Sequence, residues 1–232
     1  MTKHQKAISS PKTFPIKRKG NTWTTNPRAG PHSQKDCIPL GVLIRDMLGY
    51  AESIKEVRKI LNKGYCKVDG KICKDYKYPI GIFDSIELKD EHYRIMPSKK
   101  GFGLLEIDEK ESQKKICRLE DKTLLKGGKT QLNLNDGKNI ITEDGEDLET
   151  GTSLIISLPD LEIEETVDRE EGNKVMIVGG KNRGKIAEFK KVKEVKGSKP
   201  NRVIVTREDK EINLPEGLVF PVGKKESIIQ IE

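Results

Sequence analysis

The sequence predicts a mostly-β member of the α+β class, built from several small domains. Three observations predict it. Apolar residues make up 34% of the 232 positions and charged residues 35%, which is thin material for one large core and suits several small domains with wet surfaces. Beyond residue 65 the apolar positions fall in short, strand-length runs separated by turn residues, Asp69-Gly70, Asp136-Gly137 and Asp144-Gly145 among them. Residues 37–64, by contrast, carry helical periodicity.

Residues 1–36 read as a basic extended arm. Lys3, Lys6, Lys12, Lys17, Arg18, Lys19, Arg28 and Lys35 are interleaved with Pro11, Pro15, Pro27 and Pro31, and almost nothing apolar recurs at a regular period. The arm nevertheless holds Phe14, Ile16 and Trp23, the only tryptophan, side chains suited to stacking or wedging between RNA helices. Leu40, Leu43, Ile44, Met47 and Leu48 then fall on one helical face that Gly49 ends. Ser53 and Glu56 form a capping box for a second helix, whose apolar face is Ile54, Val57, Ile60 and Leu61 and whose stop is Gly64. Strands are predicted at Tyr65–Val68, Lys71–Cys73, Ile86–Leu88, Tyr93–Met96, Leu132/Leu134, Leu154–Leu158 and Val175–Val178. Further strands are predicted at Arg202–Thr206, Glu211–Leu214, Leu218–Val222 and Ile228–Ile231, and such close spacing suggests small barrels.

Charge is distributed with direction. The net of +7 divides into +7 for residues 1–36, +4 for 37–100, −10 for 101–171 and +6 for 172–232. Three basic segments around one acidic segment suit a protein with one face toward a polyanion. The four cysteines form no C-x-x-C pair and the three histidines are scattered, which argues against a zinc site. With no secretory leader evident, the cysteines are expected as reduced core residues of a cytosolic protein. No apolar run approaches the roughly 18 residues a membrane helix needs.

Two patterns carry chemistry. On the second helix Lys55, Lys59 and Lys63 recur every fourth residue with Arg58 beside them. Like charges at that spacing repel by a few tenths of a kcal/mol per pair, roughly, and a row of phosphates would reverse the sign. Farther on, Gly179-Gly180-Lys181-Asn182-Arg183-Gly184-Lys185 is a glycine turn with a cationic tip between an apolar strand and the next. It nearly spells a P-loop, but Ile186 stands where a magnesium-binding Ser or Thr is required. The acids Glu162, Glu164, Glu165, Asp168, Glu170 and Glu171 lack metal-ligand spacing and read as a solvent-facing strand and linker that discourages phosphate contact.

Ser53 to Gly64 followed by Val68-Asp69-Gly70-Lys71, within Ile38 to Pro79, resembles the S-four-type RNA-binding module. The resemblance implies a two-helix unit with a small sheet and an RNA-contacting role for Lys55, Arg58, Lys59, Lys63 and Lys71. Gly172 to Ile186 resembles a KOW motif, implying an SH3-like barrel whose tip, Lys181, Asn182, Arg183 and Lys185, meets RNA. Lys126 to Ile141, Gly30-Pro31-His32, His92 to Ile95 and Val219 to Lys224 also match, so nearly the full length resembles the archaeal–eukaryotic small-subunit ribosomal protein family S-four-e. The order implied is a basic arm (1–36), an S-four-type domain (37–100), a central small β-barrel (101–171) and a KOW-type barrel (172–232).

The resemblance implies a structural, non-enzymatic constituent of the small ribosomal subunit, supporting assembly and translation in the cytoplasm. Its expected partners are small-subunit rRNA and neighbouring ribosomal proteins. The chain is expected to sit as a monomer within the ribosome, with no membrane, cofactor, metal or small-molecule substrate. The arm residues Lys3, Lys6, Lys12, Lys17, Arg18, Lys19, Trp23, Arg28 and His32 join the RNA-contacting set. The cations of arm, helix and tip are expected to meet phosphates, with the acidic middle turned away. The alternatives are an RNA-modifying enzyme anchored by an S-four-type module and a KOW-type transcription elongation factor. The first needs a catalytic domain that residues 101–232, with no G-x-G-x-x-G after a strand, do not display.

Overall fold

The computed structural model describes residues 4–143, 145–197, 200–208 and 210–224, and forms two compact units, Met1–Gln113 and Lys114–Glu232. The fold is α+β and mostly β. Lys3, Asp144 and the strand expected at Ile228–Ile231 lie outside the described residues.

In the first unit β1 (Gln5–Lys6) pairs with β2 (Trp23–Thr24), and β3 (Ile38–Pro39) leads into α1 (Leu40–Val42). The helix continues over Leu43–Met47 in a wider turn, with Leu48 N–H donating to the Leu43 carbonyl (3.0 Å), and buries Leu43 and Ile44. Next comes α2 (Ile54–Asn62). Strands β4 (Cys66–Val68), β5 (Lys71–Ile72), β6 (Pro79–Ile80), β7 (Ser85–Leu88), β8 (Glu91–Ser98) and β9 (Gly101–Glu106) follow, then the short α3 (Glu109–Ser112). β6 pairs with β3, and the others form one antiparallel sheet in the order β5-β4-β7-β8-β9. Asp69 and Gly70 take φ of 49° and 74°, the left-handed pair that a two-residue hairpin requires. Both helices rest on this sheet through Leu40, Leu43, Ile44, Val57, Leu61, Val68, Ile86 and Ile95.

Two expectations are corrected here. Residues 101–106, assigned to the central segment, pair with β8 and close the first sheet. Arg94, wholly buried on β8, ion-pairs with Glu111 (3.2 Å) and donates to its carbonyl (2.6 Å), which ties α3 to the same body. The arm, expected as an extended tail, is folded. Ala7 and Phe14 are buried, Ile16 packs on the core, and the Arg28 N–H donates to the Lys77 carbonyl (2.8 Å). Its apolar residues show no period because their partners lie in the body of the unit rather than in the arm itself.

The second unit holds two five-stranded antiparallel sheets. The first has the order β12-β11-β10-β13-β14, from β10 (Lys114–Leu124), β11 (Thr130–Leu134), β12 (Asn139–Thr142), β13 (Ser153–Ser157) and β14 (Ile163–Val167). Cys117, Leu119, Leu132, Leu134, Leu154 and Ile156 are its core. The second has the order β18-β17-β16-β15-β19, from β15 (Lys174–Ile177), β16 (Ile186–Lys193), β17 (Arg202–Arg207), β18 (Lys210–Pro215) and β19 (Val219–Gly223). Val175, Ile177, Phe189, Val203 and Val205 form its core. Arg118 links the two sheets by donating to the carbonyls of Gly217 (3.2 Å) and Val219 (2.9 Å), and Arg169 by pairing with Glu216. Of the acidic cluster, Glu164 and Glu165 fall on β14, an edge strand, where charge protects unpaired backbone from another chain, and the other four acids flank it.

Candidate nucleic-acid interface

The chemistry of α2 follows from its register. Ser53 caps it, its Oγ accepting from the Glu56 N–H (3.4 Å), while the Glu56 carboxylate accepts from the Glu52 N–H (2.9 Å). That backbone bond is the main cause lowering the pKa of Glu56. Val57 and Leu61 are then buried, which forces Lys55, Arg58 and Lys59 outward, with Lys63 exposed at the C-cap. Among the described residues Lys55, Lys59, Lys63 and Lys71 make no ion pair, whereas Lys67 nearby is neutralised by Glu87 (2.7 Å). A row of cations with no carboxylate in ion-pair contact is suited to binding an anion.

Aromatic rings flank this row. The Arg58 guanidinium lies 4.5 Å from the centroid of Tyr76 and donates to its hydroxyl (2.9 Å), and the Lys77 ammonium lies 5.6 Å from the same ring. On the other side Tyr65, 44% exposed, has Lys63 at 5.8 Å and Lys89 at 5.9 Å. The sequence reading missed Tyr65, Tyr76, Lys77 and Lys89. The alternation Lys74-Asp75-Tyr76-Lys77-Tyr78 was the available signal, since interleaved cations and rings suit single-stranded nucleic acid.

The arm residues divide by their contacts. Lys6, Lys12, Lys17, Lys19 and Trp23 are exposed. Arg18 is engaged internally, its guanidinium donating to the carbonyls of Ser10 (2.9 Å), Pro11 (2.8 Å) and Ile8 (3.3 Å), so it clamps the arm's turn. Arg28 is exposed and reaches Asp75 at 3.4 Å. His32 is turned inward. Its side chain is 7% exposed, its Nε2 donates to both carboxylate oxygens of Asp84 (3.0 and 3.1 Å), and its ring lies where a Cβ on Gly81 would come within 2.3 Å. Replacing His32 with Ala is expected to lower the unfolding free energy by about 1–3 kcal/mol in urea titration, the scale for stripping a buried polar group of a partner. The same change should leave the salt dependence of RNA binding as it was.

In the second unit the glycine tip joins β15 to β16. Its base is closed by Gly184 N–H to the Ile177 carbonyl (2.8 Å) and Ile177 N–H to the Lys185 carbonyl (3.0 Å). Gly180 and Gly184 have φ of 75° and 79°, while Gly179 is needed for a different reason, since a Cβ there would meet Leu218 at 2.7 Å. Lys181 is exposed, and Asn182, Arg183 and Lys185 are half-buried. The segment after Lys185 is a strand, not the helix that would receive a nucleotide phosphate. Among the described residues no group of three or more His, Cys, Asp or Glu side chains is placed to hold a metal ion, and no helix is long and apolar enough to cross a membrane.

Comparison with known proteins gives three family matches. Residues 42–86 match the S4 domain, residues 1–35 the RS4NT domain, and residues 89–163 the ribosomal family S4e. The class is therefore that of proteins carrying an S4 domain within a mostly-β chain. Small ribosomal subunit protein eS4 of Staphylothermus marinus is 43% identical over 99% of this chain and 95% of its own, and that of Archaeoglobus fulgidus is 41% identical over 97% and 94%. The crystal structure of the 30S ribosomal protein S4e from Thermoplasma acidophilum superposes with a TM-score of 0.72 at 27% identity, covering 85% of this chain and 99% of that one. The chain belongs to the ribosomal S4e family.

Proposed function

We propose that the chain is a structural constituent of the cytoplasmic small ribosomal subunit, where it binds rRNA, supports subunit assembly and translation, and performs no catalysis. The observation that carries this reading is the unpaired cation row of α2, set in a chain that matches eS4 proteins over nearly its whole length. Lys55, Lys59 and Lys63 meet backbone phosphates, Arg58 is held in its working geometry by Tyr76, and Lys71 extends the row onto the hairpin. The exposed arm lysines and the tip around Lys181 and Arg183 add phosphate contacts. In this reading β10–β14 close as a small central barrel and β15–β19 as an SH3-like KOW barrel. The return of β19 beside β15 supports the second closure. The acids of β14 face away from rRNA, toward solvent or neighbouring ribosomal proteins. The enzyme and elongation-factor readings have no observation behind them, since two structural sheets occupy residues 114–223.

Sedimentation tests the reading. The tagged chain, expressed in a host that uses this family, should travel with small subunits and remain through a high-salt wash. Recovery only in ribosome-free fractions, or with RNA polymerase, would overturn it.

A further inference from the structure

We propose that a groove between the arm hairpin and the Tyr76 loop holds one unpaired nucleobase. The inference rests on the RNA-binding reading above and narrows it to a site. The groove has a volume of about 400 Å³, within the roughly 300–1,000 Å³ range of small-molecule sites. Its walls include Trp23, 56% exposed, with His4 edge-on to it at a centroid distance of 5.8 Å, and Tyr76.

The second observation is independent of the aromatic walls. Gln5 and Thr24, both lining the groove, stand directly opposite each other in the β1–β2 register. Gln5 is only 8% exposed, yet its Oε1 has no hydrogen-bond partner, and neither does Oγ1 of Thr24. Buried polar groups are almost always satisfied within the chain, so two side by side mark a place where a ligand supplies the missing bonds. An amide and a hydroxyl together offer donors and acceptors, which matches the polar edge of a base, while its flat faces match the rings. Lys77, also in the lining, supplies a cation for the attached phosphate. A peptide would also reach the polar pair, but the concentration of three aromatic rings in one groove beside the cation row favours a base.

Trp23 is the only tryptophan, so its fluorescence reports on the groove in the full chain. A short oligoadenylate should quench it saturably, and an abasic oligomer of equal charge should not. Changing Gln5→Leu, or in a second variant Thr24→Val, should weaken the oligoadenylate response by about tenfold with the thermal unfolding midpoint unchanged. Equal responses to the two probes, or none, would overturn the proposal. In assembled subunits, ultraviolet cross-linking should join Trp23 or Tyr76 to a nucleotide. Cross-links only to a ribosomal protein or to residues 1–3 of this chain would overturn it too. That last result, with co-sedimentation intact, would remove the base site and leave the rRNA reading standing, whereas loss of co-sedimentation would remove both.

Discussion

Replacing Asp136 with Asn should destabilise the second unit by about 3–5 kcal/mol, the cost of removing one partner of a buried ion pair. Asp136 and Lys115 are 1% and 2% exposed and pair at 2.8 Å. Lys138 adds a second ammonium at 3.1 Å and its own N–H, and the Cys117 thiol donates at 3.6 Å. In the variant the Lys115 ammonium stays in the interior with an amide in place of a carboxylate. Against a typical stability of about 5–15 kcal/mol, the loss would show plainly as an earlier urea midpoint. Removing both charges together, Lys115→Met with Asp136→Leu, should recover most of it, because the desolvation penalty disappears with the pair. A single variant within about 1 kcal/mol of the parent would contradict this account of the turn.

The same carboxylate fixes a pH dependence. Burial pushes its pKa up, but Lys115 and Lys138 outweigh that effect and hold it down, from 3.8 to about 2. A depressed folded-state pKa means that the unfolded chain takes up the proton first. The stabilisation, on the order of 2 kcal/mol, is present above the unfolded value and is lost as pH falls from about 4 toward 2. The Asn variant should lack that part of the acid transition.

Converting Lys55, Arg58 and Lys59 to Ala together should weaken rRNA affinity by on the order of 100-fold at physiological salt, three phosphate contacts being removed at about 1 kcal/mol each. Stability should change little, because all three side chains point outward while Val57 and Leu61 hold the helix to its sheet. Arg58 alone should cost more than either lysine. Its guanidinium is already ordered over Tyr76 and gives up less freedom on binding.

Much of this was legible in the residues. The capping box at Ser53, the periodic apolar face of α2 and the Asp69-Gly70 hairpin are local signals, and the structure carries each of them. What escaped notice depends on partners distant in the chain. The longest strand, Lys114–Leu124, lacks clean alternation because Lys115 is buried, and a buried lysine is legible only once Asp136 is known to face it. Arg18 read as a surface cation from composition, and His32 joined the RNA-contacting set through the family resemblance. Asp84 and Gly81 around His32, and the carbonyls of Ile8, Ser10 and Pro11 around Arg18, turn them into internal fasteners. The fold of the arm was hidden for the same reason, since Phe14 and Ile16 find their neighbours in the body and not in one another.

The salt dependence of binding to small-subunit rRNA tests most directly whether the cation row of α2 is the working surface. Plotted as log affinity against log salt, the parent should give a steep negative slope. The Lys55, Arg58 and Lys59 variant should give one shallower by about 2–3, near 0.7–0.9 for each phosphate no longer neutralised. Parallel lines for the two proteins would mean that these side chains never touched the RNA backbone.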